Sequence, residues 1–181
     1  MDRSSSLAEL HADFRATGTK SMPIAGMVCW AALGIAALYL PEATIGSFAL
    51  YIMAGILPLA FLMDKLKGQN LFSGSDNPLV SMFLLSIVGI AITVPAILFG
   101  AQESGEPDLI VLGMAILAGV IWIPYGWAAE DKVGTIHAVG RALGCYAAYQ
   151  LVDEPLRASA ICAVVVLSYV YSLLFMRKVG A

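Results

Sequence analysis

A histidine and an arginine stand four residues apart in the otherwise apolar stretch GTIHAVGRALGCYAAYQ, residues 134–150. His137, Arg141, Cys145 and Tyr149 recur at every fourth position, which keeps their side chains near one face of a helix. Arginine does not lose its proton in proteins, so away from water it needs acceptors or a bound anion. Histidine can titrate near neutral pH. This stripe is therefore the first candidate for a binding site.

Aromatic residues in the preceding segment, WIPYGWAAED, could complete such a site. A membrane-interface belt accounts for Trp127 and Tyr125 without any ligand. The alternative is a kinked, aromatic-lined mouth formed by Trp122 and its neighbours. The sequence thus predicts five substrate-binding residues: Arg141, His137, Tyr149, Tyr125 and Trp122.

The composition is that of an integral membrane protein. The chain of 181 residues is 60% hydrophobic and 13% charged, whereas about a quarter of the residues in soluble domains are charged. Apolar runs long enough to cross a bilayer predict an all-α, polytopic bundle of six transmembrane helices. The predicted spans are 22–40, 43–63, 79–101, 108–128, 133–152 and 156–176.

The distribution of Lys and Arg predicts the orientation of these spans. Arg141 lies within the fifth span and Arg157 follows it on one side, while the other eight of the ten cations fall on the opposite side. Such a bias marks the cytoplasmic side, so both termini are expected in the cytoplasm, in the inner membrane. The eight are Arg3, Arg15, Lys20, Lys65, Lys67, Lys132, Arg177 and Lys178.

Three parts of the chain follow from these spans: a cytoplasmic segment 1–21, a transmembrane domain 22–176 and a cytoplasmic tail 177–181. In the first part, Ser6 and Glu9 have the spacing of a capping box. The short helix after it would be amphipathic, with Leu7, Leu10 and Phe14 on one face. We expect that face to lie on the cytoplasmic leaflet or to pack under the bundle.

No carboxylate lies near the middle of a predicted span, so the partners of Arg141 are open. In a structural interpretation, it donates to carbonyls freed by prolines within the spans and to nearby tyrosines. In a functional interpretation, Arg141 and His137 face a wet cavity that attracts an anion. The structural partners would be the carbonyls of Ala54, Ala91 and Val120, one turn before Pro58, Pro95 and Pro124, with Tyr51, Tyr125 or Tyr146.

Helix five is expected at the centre of the bundle. Its small residues Gly140 and Gly144 have the spacing that lets another helix approach closely. The large apolar residues Val139, Leu143 and Leu151 are too few for a fully lipid-facing span.

Other functional classes lack their residues. The spans hold no paired carboxylates and no nucleophile–base motif, and the cysteines Cys29, Cys145 and Cys162 suit small buried hydrophobes. We therefore expect no enzyme, no cofactor and no metal site. A net charge of −3 with scattered cations excludes nucleic acid as a partner.

The sequence therefore predicts that the protein is a small channel or transporter for an anion or small acidic solute, with Arg141 and His137 as its binding site. A homodimer in the lipid bilayer would supply side chains that six helices lack for enclosing a pathway. The alternative is a non-catalytic membrane scaffold or accessory protein in which Arg141 is structural.

Overall fold

The computed structural model describes residues 5–17, 20–68 and 76–176; the predictions for Arg3 and for the tail 177–181 lie outside these ranges. All regular secondary structure of the described residues is α-helical. The helices are α1 Leu7–Thr17, α2 Ser21–Ala36, α3 Glu42–Leu66, α4 Pro78–Ser104, α5 Asp108–Val120, α6 Trp122–Ala128, α7 Lys132–Leu151 and α8 Arg157–Phe175.

Within the described residues, four helical stretches are long and apolar enough to cross a membrane. They are α3, α4, α8 and the stretch Asp108–Ala128, which combines α5 and α6. The pair α1 and α2, bent by 55°, could make a fifth. The fold is therefore a helical bundle of membrane-protein character, as the composition predicts.

The helix ends follow from local sequence. The side chain of Asn77 accepts a hydrogen bond from the Leu79 amide and caps α4, and Asp131 caps α7 by accepting from the Val133 amide. Gly105, at φ 71°, ends α4 in the left-handed conformation that glycine adopts without strain. The break between α5 and α6 lies three residues before Pro124, whose ring cannot donate a backbone hydrogen bond.

The centre of the bundle is α5, and the prediction that the fifth span is buried at the centre is wrong. Helix α5 packs against α3, α4, α6, α7 and α8. Helix α7 packs against α5, α6 and α8, and its other face is exposed. The exposed large apolar side chains of α7 are Ile136, Val139, Leu143, Tyr146 and Leu151.

Of the two glycines predicted to allow close helix packing, one does so and the other does not. Gly144 packs closely, because an added Cβ would lie 2.7 Å from Val164. Gly140 is on the exposed face, and an added Cβ would meet nothing within 4 Å. The close approach involves Gly134 instead, where an added Cβ would lie 2.6 Å from the Cα of Gly126 on α6. Backbones of α6 and α7 therefore touch directly.

Helix α1 begins with the hydrogen bonds of a capping box. Ser6 donates from its backbone and its hydroxyl to the Glu9 carboxylate, and these bonds lower the pKa of Glu9 below its ordinary value. Leu7 is 54% exposed, Leu10 is half-buried and Phe14 is buried, so the three side chains do not share one buried face. The buried side of α1 lies against α4 and α6.

Candidate functional site

Arg141 lies inside the bundle, with 1% of its surface exposed. The carbon at the centre of its guanidinium is 5.2 Å from the ring centre of Trp30 on α2 and 5.3 Å from that of Tyr169 on α8. Both are cation–π distances. On α5, a Cβ added at Gly119 would lie 3.1 Å from Cδ of Arg141, so this glycine leaves room for the arginine stem. Three helices besides α7 thus position one cation.

The polar atoms of this cluster lack acceptors. Among the described residues, none forms a hydrogen bond to Nε, Nη1 or Nη2 of Arg141, and the buried Nε1 of Trp30 is also without a partner. A buried donor without a partner costs about 1–3 kcal/mol, and more when it is charged. The cluster is therefore rich in donors and poor in acceptors, which is the chemistry that receives an anion.

His137 lies one turn before Arg141 and is equally buried. Its Nδ1 is 2.7 Å from the hydroxyl of Ser172, and its ring stacks on Trp122 with centres 4.2 Å apart. It also meets the Tyr169 ring in a T-shaped contact, with ring centres 5.2 Å apart. Its Nε2 has no partner among the described residues. The ring is thus fixed in orientation with one nitrogen left available.

The structure brings together three of the five predicted site residues, places a fourth at the margin of this group and separates the fifth from it. Arg141, His137 and Trp122 belong to the buried cluster. Tyr125 touches Trp122 edge-on at 5.4 Å, but its ring also packs against α1 and α4. Tyr149 lies apart, because two further turns of α7 carry it to the end of the bundle, where it donates to Glu106.

Around Tyr149 lies a second, ionic cluster. Arg157 covers the Tyr149 ring at 5.0 Å, donates to the backbone oxygen of Val152 at 3.2 Å and pairs with Glu154 at 3.0 Å. It also lies 3.9 Å from the buried carboxylate of Asp108. In contrast to Arg141, this arginine has several acceptors, so its role in the fold is explained without a ligand.

The structural partners predicted for Arg141 are wrong. Tyr51 is 77% exposed, and Tyr146 lies on the exposed face of α7. Ala54 and Ala91, whose carbonyls are freed by prolines, are exposed as well. Val120 is exposed too, and no carbonyl of the described chain accepts a hydrogen bond from the guanidinium.

Sequence reasoning missed the residues that surround the cation. Trp30 lies mid-helix rather than at a helix end, where an interfacial belt would place it, and that position was a usable signal. Tyr169 gave no signal of its own; its space depends on Gly26, where an added Cβ would lie 2.5 Å from the tyrosine hydroxyl. A second buried histidine, His11 on α1, was also missed.

The described part of the chain shows little sign of a metal site or a reactive thiol. It contains no group of three or more His, Cys, Asp or Glu residues placed to hold a metal ion. The cysteines Cys29, Cys145 and Cys162 are buried free thiols.

Comparison with known proteins gives one family and no individual relative. Neither a curated protein nor a solved structure matches the chain significantly. The model of a family of unknown function, DUF7010, matches residues 7–177. Because this match extends over nearly all of the 181 residues, the chain belongs to the DUF7010 family.

Proposed function

We propose that this protein crosses the inner membrane six times, with both termini in the cytoplasm. Four helical stretches have spanning length, and the exposed apolar face of α7 suits a fifth that contacts lipid. Helix α2 is apolar and continues into the turn after Ala36. Cations gather at one end of the bundle, where Arg15 pairs with Glu130 and Lys67 donates to Ser21. This charge bias supports the orientation.

Within that topology, the proposed function is passage of a small anion or small acidic solute, bound at Arg141. The observation that carries the proposal is the buried guanidinium whose three nitrogens have no acceptor in the described chain. An intramembrane charge is costly and commonly marks a ligand pathway. Because the cation is enclosed, the helices must move to admit a ligand, which favours a transporter over an open channel.

The protein carries no catalytic activity, and its partners are the lipid bilayer, the anion and a second copy of the chain. His137 contributes Nε2 as a further polar contact to the bound solute, and Trp122 holds the imidazole in place by stacking.

A second candidate function is supported by the aromatic contacts. Trp30 and Tyr169 both lie within cation–π distance of Arg141, and these interactions reach about 2 kcal/mol each when desolvated. They join α7 to α2 and α8. In this alternative the arginine is structural and the protein is a non-catalytic membrane scaffold or accessory protein.

Anion-dependent stability separates the two candidates. We expect sodium chloride, acetate or phosphate to raise the melting temperature of the detergent-purified protein relative to sodium gluconate at equal ionic strength. A ligand present at a hundred times its dissociation constant stabilises by about 2.7 kcal/mol. Arg141→Gln should abolish the shift, because glutamine has no charge to attract the anion.

Lys132→Gln is the matched control, since it removes one positive charge from the exposed first turn of the same helix. This variant should keep the full response. Equal shifts in wild type and Arg141→Gln, or no shift in wild type with all three salts, would favour the scaffold. If the anion stabilises the wild type and not Arg141→Gln, flux of that anion from liposomes containing the protein would establish transport.

A further inference from the structure

Helix α1 is held against the bundle by contacts at one end of α6. The Nδ1 atom of His11 is 2.8 Å from the backbone oxygen of Ala128, in the last turn of that helix. The imidazole also makes a T-shaped contact with the ring of Trp127, with ring centres 5.1 Å apart. Nearby, Arg15 pairs with Glu130. The polar side of α1 therefore covers the end of α6.

A second set of contacts joins α1 to the start of α4. The buried amide of Asn77 donates from Nδ2 to the backbone oxygen of Leu10 and to the carboxylate of Asp13, both at 2.8 Å. Its Oδ1 accepts from the Leu79 amide and caps α4. One side chain thus caps α4 and anchors α1.

From α1, aromatic rings in mutual contact lead to the buried cation. The ring centres of Phe14 and Tyr125 are 5.9 Å apart, and those of Tyr125 and Trp122 are 5.4 Å apart. Trp122 in turn stacks on His137. Arg141 follows one turn later on α7. Tyr125 and Trp122 therefore fill the space between α1 and the cluster, and Phe14 covers Tyr125 from outside.

We propose that α1 is a latch that controls access to the His137 and Arg141 cluster. An isolated helix of 11 residues is marginal in water, so α1 depends on these contacts and should open before the bundle does. When it leaves, Tyr125 loses its cover and can turn outward, which opens a path to Trp122 and His137. The latch regulates the proposed anion site and rests on that function, but access can be measured without any anion.

The test uses the full chain in detergent, with Ser172→Cys as a reporter beside His137. Ser172 is fully buried, so its replacement reacts with iodoacetamide only when the cluster opens. Buried Cys162 is the internal reference, because it lies on α8 toward the opposite end of the bundle. Alkylation at each position is followed by peptide mass spectrometry.

Two substitutions release α1 in different ways. Phe14→Ala removes the ring that covers Tyr125. Asn77→Asp keeps the oxygen that caps α4, but it replaces the donor to Leu10 and Asp13 with a repelling carboxylate. Each should accelerate alkylation at position 172 by about tenfold or more, as expected when a local opening becomes easier. Leu7→Ala, on the exposed side of α1, should leave the rate within about twofold.

Faster alkylation at position 172 with an unchanged rate at Cys162 supports the latch. An unchanged rate at position 172 in both release variants overturns it. Equal acceleration at both positions also overturns it, because α1 would then support the whole bundle rather than one path. If the wild type shows no anion response while position 172 opens selectively, the anion site fails and the latch stands.

Discussion

Replacing Arg141 with methionine is expected to raise the free energy of unfolding in the absence of a ligand. The arginine holds a charge in the bundle with no hydrogen-bond acceptor in the described chain, and desolvating such an ion costs several kcal/mol. The two aromatic contacts together recover about 4 kcal/mol. Methionine fills much of the same space without a charge, so we expect a gain of about 1–4 kcal/mol.

Denaturant titration of the detergent-purified protein measures this gain. Arg157→Met is the matched control, and it should lower stability by about 1–3 kcal/mol because it leaves the buried Asp108 carboxylate without its cation. A loss of stability for Arg141→Met as large as that of the control would mean that the aromatic contacts dominate. The scaffold interpretation would then be preferred over an anion site.

Replacing Gly134 with alanine is expected to be among the most damaging single changes in the chain. The added Cβ would lie 2.6 Å from Cα and 2.9 Å from the amide nitrogen of Gly126, and backbone atoms cannot move aside as a flexible side chain can. Helices α6 and α7 would have to separate. We expect a loss of about 3 kcal/mol, the upper end of typical overpacking costs.

Gly140→Ala provides the comparison on the same helix. Its added Cβ meets nothing within 4 Å, and alanine favours a helix by up to about 1 kcal/mol over glycine. Parallel melting curves should therefore show opposite signs for the two substitutions. Similar losses at both positions would contradict the direct backbone contact between α6 and α7.

Much of the fold was predictable because the apolar runs have a length that the bilayer sets. The predicted fourth span, 108–128, has the bounds of the stretch Asp108–Ala128, which is long and apolar enough to cross a membrane. The predicted fifth, 133–152, matches the helix α7 within one residue at each end, but α7 is not among the four stretches of spanning length and hydropathy. The neighbours of that helix were not predictable, because periodicity identifies a face but not its partner. Five large apolar residues of α7 are exposed, whereas the expectation of a buried helix considered only three of them.

The candidate site was likewise predictable only in part. Arg141 and His137 were found because ionisable residues are rare within apolar segments. Trp30 and Tyr169 come from helices far apart in sequence, and they meet the arginine only through packing. Tyr149 was grouped with Arg141 and His137 in the sequence but lies apart from them. A four-residue repeat keeps its side chains on a common face while it advances along the helix axis. By Tyr149 the stripe has reached the ionic cluster of Arg157.

The backbone contact between Gly126 and Gly134 also limits how the bundle can move. With no side chains between them, α6 and α7 have little freedom to slide or tilt against each other, so they should travel as one rigid hairpin. His137, Trp122 and Arg141 are all part of that hairpin. Release of α1 can open the way to Trp122 and His137, but a wider exposure of the guanidinium must displace α2, α5 or α8, and Gly119 marks where α5 lies closest to Arg141.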